Sequence, residues 1–328
     1  MWFVFTILTT LLWGCAELFY KRGAHPNEKY AHLKISICVG VVMGLHALYT
    51  LIFQLHAFSP LMTLLQDKLG WFTGVEFEES LFDFRNLIRY LPVSLCYILS
   101  MTFSYFGMRF IEESISDPIE NTSGAIAALL CVIFLHEELS PMAFVAIGII
   151  VVGILGIGFL ENSGDTARRK KIGKVMAIVA FAMPFLYAFL DAAGTFLDIF
   201  YLEDVATTPL LAVTEETIEE VANTSYEITF AIFALLLFIF LKIRRVKFDI
   251  PQSGDKWLAA VLETAGQFTY VYAMSGNGAI AAPIISSVCV VSLLLSRIFL
   301  KEKLKWKQYI FIGLVIIGIL MLAIIEGD

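Results

Sequence analysis

Apolar residues in this chain fall into ten long blocks, and shorter polar stretches separate most of them. A block of about 20 apolar residues is long enough to cross the hydrocarbon core of a bilayer as a helix. The blocks are too long for the ten-residue alternating strands of a membrane barrel. We therefore predict an all-α integral membrane protein with ten transmembrane helices, over residues 2–20, 32–57, 88–109, 115–135, 141–161, 174–200, 224–242, 256–274, 278–300 and 306–325.

Composition supports a membrane protein. Hydrophobic residues make up 59% of the 328 residues and charged residues 16%, against about 45–50% and 25% in soluble domains. We predict the lipid bilayer and a small-molecule substrate as partners, and no nucleic acid. We also predict no cofactor and no metal site, because the zinc motif that His136 would begin needs a second histidine at position 140, which is Ser140.

The second half of the chain repeats the first. "FLHEEL" at 134–139 and "FLKEKL" at 299–304 lie 165 positions apart, and residues 134–161 and 299–326 share ten identities in 28. At the same offset Pro118 meets Pro283, and Phe103-Ser104-Tyr105 meets Phe268-Thr269-Tyr270. Five helices per half is an odd number, so the halves are predicted to be inverted repeats, as in many secondary transporters. The predicted domains are 1–161 and 174–328, joined by a basic linker at 162–173.

The inversion accounts for the different charges of the two hexamers, because it puts them on opposite sides of the membrane. Counted by side, the links carry 20 Lys and Arg residues on one face and 3 on the other. Cytoplasmic loops carry the excess of basic residues. We therefore predict that "FLKEKL" is cytoplasmic and that both termini lie outside, in a cytoplasmic (plasma) membrane.

The motifs also resemble a known family. Two five-helix halves, each with "F-L-x-E-x-L" before a glycine-spaced helix, and "LLWGCAELFYKRGA" at 11–24, are similar to the drug/metabolite transporter superfamily, EamA type. The resemblance covers nearly the whole chain and implies a secondary carrier, but no particular substrate. In one respect the chain departs from the family: its members are usually drawn with both termini cytoplasmic, whereas the charge count here predicts the reverse.

Several acids lie inside the predicted helices, where an ionisable group costs roughly 2.5–3.5 kcal/mol and is a functional candidate by default. Asp198 is close enough to a helix end to be solvated, and Asp117 fits a helix cap. His46 is interpreted as a hydrogen-bonded contact between helices. The stronger candidates are Glu17, Glu120, Asp191 and Glu263.

Two of these acids form matching patterns. Trp13 precedes Glu17 by four residues, and Tyr187 precedes Asp191 by four, so each pair shares a helix face. Aromatic rings beside carboxylates suit an organic cation. Proton coupling by a carboxyl in apolar surroundings is the rival interpretation, and both can hold. The predicted substrate-binding or coupling residues are Trp13, Glu17, Glu120, Asn121, Tyr187, Asp191, Glu263, Tyr270 and Ser286.

Two functions from different classes remain at this point. The first is a secondary transporter that works by alternating access, proton- or exchange-coupled, for organic cations, amines or amino acids. The second is a polytopic membrane enzyme or sensor that uses intramembrane carboxylates. Two equivalent halves are what a carrier needs, whereas an enzyme site usually draws on one asymmetric cluster. The repeat therefore favours the carrier, and we predict that the protein is not an enzyme.

Overall fold

The computed structural model describes residues 1–23, 28, 30–72, 74–107, 113–161, 174–203, 206, 208–248, 253–299 and 306–325. Within these residues the chain forms helices and no strand. The helices are α1 (Trp2–Gly23), α2 (Ala31–Phe53), α3 (Ser59–Leu69), α4 (Asn86–Arg89), α5 (Leu91–Gly107), α6 (Glu113–Glu120), α7 (Ser123–Leu130), α8 (Pro141–Glu161), α9 (Lys174–Leu202), α10 (Ile218–Ile243), α11 (Gly254–Ile285), α12 (Val288–Phe299) and α13 (Trp306–Ile325), and a π-helical turn, Cys131–Leu135, follows α7. The all-helical class is confirmed.

Each of the ten predicted blocks contains helix, but fewer helices are long and apolar enough to span a membrane by themselves. In the described part of the chain six meet that requirement, or seven if α11 and α12, which are bent by 48° to each other, are counted as one span. Two shorter apolar helical stretches are α5 and the part of α8 from Pro141 to Ile157. The predicted eighth and ninth helices merge in α11, where the expected link at 275–277 is a kink at Asn277.

Helices from the two halves pack against each other in antiparallel pairs. α1 packs along α11, with Thr9 opposite Thr269 and, further along α1, Tyr20 opposite Glu263. α5 packs along α9 in the same way. Together with α2 and α10, these helices enclose the larger of two hydrophobic cores.

The last helices of the two halves, α8 and α13, also form an antiparallel pair, and their contacts are reciprocal. A methyl group added at Gly153 would lie 2.5 Å from Val315 Cγ2, and one added at Gly318 would lie 2.6 Å from Ile150 Cγ1. Gly153 and Gly318 are 165 positions apart, and so are Ile150 and Val315. The contact of Gly153 with Val315 is therefore repeated by the contact of their repeat equivalents, Gly318 and Ile150. A two-fold axis between the helices produces such reciprocal contacts.

At one end of the bundle, Glu28 joins α2 to α11. It accepts hydrogen bonds from Lys34 Nζ at 2.6 Å and from Lys256 Nζ at 3.0 Å, and both lysines are buried. Arg22 at the end of α1 forms an ion pair with Asp255 at 3.3 Å. These contacts fasten the ends of three helices at one face of the bundle.

The long link at 58–87, between the second and third predicted helices, contains a surface helix. That helix is α3, and none of its residues is buried. The other long link was predicted at 201–223, but α10 already begins at Ile218. The segment from Glu219 into the membrane is consequently helical, and this extends the polar face of α10 by more than a turn.

Candidate functional site

All nine residues predicted as the site line one internal cavity of about 120 Å3. For comparison, a cavity of about 150 Å3 in an engineered protein core binds benzene. α1, α9 and α11 contribute most of the predicted side chains, with α6 and the segments that follow α6 and α11 completing the wall. The nine are Trp13, Glu17, Glu120, Asn121, Tyr187, Asp191, Glu263, Tyr270 and Ser286.

The two predicted aromatic–carboxylate pairs face the cavity from different halves. Trp13 and Glu17 lie one turn apart on α1, and Tyr187 and Asp191 lie one turn apart on α9. Residues four apart on a helix present their side chains on the same face. The carboxylates of Glu17 and Asp191 therefore line the same cavity, although the two residues are more than 170 positions apart in the sequence.

Hydroxyl groups donate hydrogen bonds to three of the cavity acids, Glu120, Asp191 and Glu263. Glu120 accepts a hydrogen bond from Ser104 Oγ at 2.7 Å. Asp191 accepts one from Ser123 Oγ at 2.7 Å. A buried carboxylate needs such donors, because desolvation without hydrogen bonds is costly.

The third of these acids, Glu263, is joined to α1 at two points. Its carboxylate accepts a hydrogen bond from Tyr20 OH at 3.3 Å, and its backbone carbonyl accepts one from Trp13 Nε1 at 3.2 Å. Trp13 also stacks on Tyr270, with ring centroids 5.1 Å apart. Gly266 makes this possible, because a methyl group there would lie 2.3 Å from Trp13 Cδ1. α1 and α11 thus form one wall of aromatic and acidic groups.

A chain of hydroxyl groups lies beside the cavity. Tyr270 OH is 2.8 Å from Tyr97 OH and 2.9 Å from Thr195 Oγ1. Asp198 accepts hydrogen bonds from Tyr90 OH and, at 3.5 Å, from Tyr97 OH. The prediction that Asp198 is solvated is wrong: it is 1% exposed, because α9 continues to Leu202 and this last turn is covered.

The break between α6 and α7 brings backbone to the cavity wall. Ser286 Oγ accepts a hydrogen bond from the Gly124 N–H at 3.0 Å. A methyl group at Gly124 would lie 2.3 Å from the Ala282 carbonyl oxygen, so only glycine allows this approach. Asn121 donates to the Asp117 carbonyl at 2.7 Å. Asp117 was interpreted as a helix cap, but it lies inside α6 and lines the cavity too.

The cavity lining includes residues that sequence reasoning missed. Most are tyrosines and small hydroxyl residues, which in a membrane helix are too common to single out without a partner in space. Tyr105 was also missed, although the sequence held a signal for it: it occupies the same repeat position as the predicted site residue Tyr270. The missed polar and aromatic lining residues are Tyr20, Tyr97, Ser104, Tyr105, Ser123, Thr195, Tyr226 and Gln267.

Charge is one-sided in this space. The lining includes Glu17, Glu120, Asp191 and Glu263 and, among the described residues, no lysine, arginine or histidine. The described part of the chain also contains no group of three or more histidine, cysteine or acidic residues arranged to hold a metal. The cavity therefore suits groups that carry positive charge or protons.

His46 lies outside the cavity. Its Nδ1 is 2.8 Å from one oxygen of Glu227 and 2.9 Å from the other. The interpretation of His46 as a contact between helices is confirmed, because it links α2 to α10. Glu227 was missed: a helix predicted to start at 224 leaves this residue near its end, whereas α10 starts at Ile218 and buries it completely.

The fold and the cavity together define a multi-pass helical membrane protein with an acidic, aromatic-lined internal cavity. Residues 205–324 match the EamA-like transporter family. The predicted EamA resemblance is therefore confirmed, and the family match covers most of the second half.

Two further comparisons bear on the chain. It is 24% identical over 200 residues, 52% of its length, to the amino-acid permease GAP3 of Candida albicans. The match spans only 32% of that permease. The chain is also similar to a protein of known crystal structure, with a TM-score of 0.62 and 13% sequence identity. The match covers 99% of this chain and 96% of that protein. At that identity the structural match supports the fold alone.

Proposed function

We propose that the protein is a secondary transporter that moves a small organic cation, amine or amino acid across the membrane. The observation that carries this proposal is the convergence of five carboxylates and several aromatic rings on one internal cavity whose described lining has no basic side chain. A cationic group gains from charge pairing and from cation–π contact in such a space. Transport by alternating access requires a site of this kind between two halves.

The finer architecture of ten helices in two inverted repeats is part of the proposal. Its support is the symmetry of helix packing. Exchanging each helix of one half for its counterpart converts the α1–α11 pair into the α9–α5 pair, and leaves the α2–α10 and α8–α13 pairs as they are. The reciprocal contacts of Gly153 and Gly318 agree with the same exchange. Antiparallel packing is expected if the axis lies in the membrane plane.

The substrate class rests on two supports. The cavity acids favour a positively charged amino or ammonium group, and the cavity volume favours a small molecule. The similarity to an amino-acid permease supports an amino acid as one candidate. The proposed outward orientation of the termini rests on the charge count of the links, and a cytoplasmic (plasma) membrane location is part of the same proposal.

Uptake into liposomes tests the proposal. Purified protein would be reconstituted and offered radiolabelled choline, alanine and a neutral sugar, with and without a pH gradient. We expect choline or alanine to enter and the sugar to be excluded. Exclusion of all three compounds, with and without the gradient, would count against a carrier of this class.

Neutral variants of the cavity then test the site. Glu17→Gln and Asp191→Asn keep side-chain shape and remove charge. If these carboxylates bind a cation, each change should weaken binding by about 1.5–3 kcal/mol, the worth of a hydrogen bond to a charged group, which is roughly ten- to a hundredfold. Glu79→Gln, at an exposed carboxylate in the link before α4, is the control. Unchanged transport in the double variant would remove the pair from the site.

A further inference from the structure

A second ionisable site lies outside the cavity, between α2 and α10. The carboxylate of Glu227 is fully buried, and both of its oxygens are within 2.9 Å of His46 Nδ1. The ring of Phe268 on α11 packs edge-on against His46, with centroids 5.7 Å apart. Ionisable groups at membrane depth are costly and are functional candidates by default.

The pair is connected to the cavity through α10. Tyr226 is adjacent to Glu227 in sequence and lines the cavity. Its ring packs edge-on against that of Tyr97, with centroids 5.8 Å apart. A change of charge or position at Glu227 therefore acts on a helix that forms part of the cavity wall.

The pair is also connected to the end of α10. Asn223 lies four residues before Glu227, and Glu219 and Glu220 lie four and three residues before Asn223, so these side chains lie along one helix face. Asn223 donates a hydrogen bond to Glu227. α10 begins at Ile218, inside the link that the sequence predicts at 201–223 in the aqueous phase, so this polar face would lead from water to the buried carboxylate. Beyond Glu227 the same face continues with the buried apolar residues Phe230 and Ala234, which pack against Gly40 of α2.

We propose that His46 and Glu227 form a proton-binding site of the transporter, separate from the substrate cavity. This inference rests on the proposed transport function. With one proton on the imidazole, the pair consists of a neutral histidine and a carboxylate and has a net charge of −1. A second proton, taken from water at the start of α10, gives an imidazolium–carboxylate pair or two neutral groups, with a net charge of zero. When the carrier changes conformation, that proton leaves to the opposite aqueous face.

The titratable groups around the pair are few. On α10 these are Glu219, Glu220 and Tyr226; α11 contributes Tyr272, which donates a hydrogen bond to Glu220, and α5 contributes Tyr97. Within the described part of the chain His46 is the basic side chain paired with Glu227. The charge of the pair therefore depends mainly on its own protons. That property suits a site whose charge must change once per cycle.

Reconstituted full-length protein tests the proposal, with choline and alanine as probes. Two assays are compared: accumulation driven by a pH gradient, and exchange of labelled for unlabelled probe without a gradient. Glu227→Gln and His46→Gln keep a hydrogen-bonded contact between α2 and α10 and remove the proton site. We expect gradient-driven accumulation to fall at least tenfold, while exchange stays within twofold of wild type.

A second His–Glu pair in this chain provides the matched control. His56 Nε2 lies 2.7 Å from Glu78 in the link after α2, and Glu78 is exposed. His56→Gln should therefore leave both assays unchanged. The cavity variants Glu17→Gln and Asp191→Asn should give a third result. If the cavity binds the probe, they weaken exchange as well as gradient-driven accumulation.

The outcomes separate the two proposals. If wild-type protein exchanges neither probe, the proposed function fails. If wild type exchanges a probe but does not respond to a pH gradient, or if Glu227→Gln still accumulates it normally, the proton site is refuted. Loss of exchange in Glu227→Gln, or a large fall in its melting temperature, would make the pair a structural contact and would also refute the inference.

Discussion

The contact between α8 and α13 gives the sharpest test of the packing. Gly153→Ala would put a methyl group 2.5 Å from Val315 Cγ2 and 3.0 Å from the Phe311 carbonyl oxygen. Gly318→Ala would put one 2.6 Å from Ile150 Cγ1 and 2.9 Å from the Ala146 carbonyl oxygen. Contacts this short require the two helices to move apart, since one of the two atoms is backbone in each case.

Matched controls lie on the same two helices. Gly148 and Gly313 also correspond in the repeat, and a methyl group at either position would meet no atom within 4 Å. Replacing any of the four glycines gains a similar helix propensity of up to about 1 kcal/mol. Only the two packed positions incur an overpacking cost, typically about 1–3 kcal/mol. The difference between packed and open positions should therefore be about 1–3 kcal/mol.

The assay is thermal unfolding of the purified protein in detergent, followed by tryptophan fluorescence. We expect Gly153→Ala and Gly318→Ala to lower the melting temperature by similar amounts, because their surroundings are reciprocal. The two control variants should match or slightly exceed wild type. Equal destabilisation by all four substitutions, or none by the packed pair, would show that the glycines do not set the distance between these helices.

Two further predictions concern the ends of the bundle. Burial and then the charge of Glu203 raise the pKa of Glu137 from 4.5 to about 7; the folded protein therefore loses stability as pH rises through that range. Accordingly, Glu137→Gln should raise the melting temperature at pH 8 and change it little at pH 4.5, and an equal effect at both would contradict this cause. In a cysteine-free background, a cysteine at Glu215 should react with an impermeant thiol reagent in intact cells, and one at Arg245 only after lysis. The reverse labelling would overturn the predicted orientation.

The predictable part of the fold was the location of the helices. Hydrophobic runs alone located helix at each block, because the bilayer requires long apolar segments with their backbone groups paired internally. The hydrophobic runs did not show where a helix continues through a short polar stretch. Asn277 is a kink and not a loop, and α10 starts six residues before the predicted 224. Both differences come from contacts with other helices, which a single sequence does not report.

The acids that line the cavity could be selected from the sequence for a related reason. An acid inside an apolar run is rare and costly, so Glu17, Glu120, Asp191 and Glu263 could be selected without any structure. Their roles in binding or coupling stay predictions. Tyrosines and serines carry no such penalty, and the hydroxyl partners of these acids were therefore missed. Glu227 was missed because its depth in the membrane depends on where α10 begins.

The hydroxyl groups beside the cavity have a consequence for its chemistry. Between Tyr97, Tyr270 and Thr195, either oxygen of each close pair can be the donor. A hydroxyl rotates freely enough to donate at one moment and accept at another. The network can therefore reverse its direction when a nearby carboxyl gains or loses a proton, with no heavy atom displaced. Such a lining tolerates a ligand or a proton arriving and departing many times, because the wall adapts by turning O–H bonds and keeps its shape.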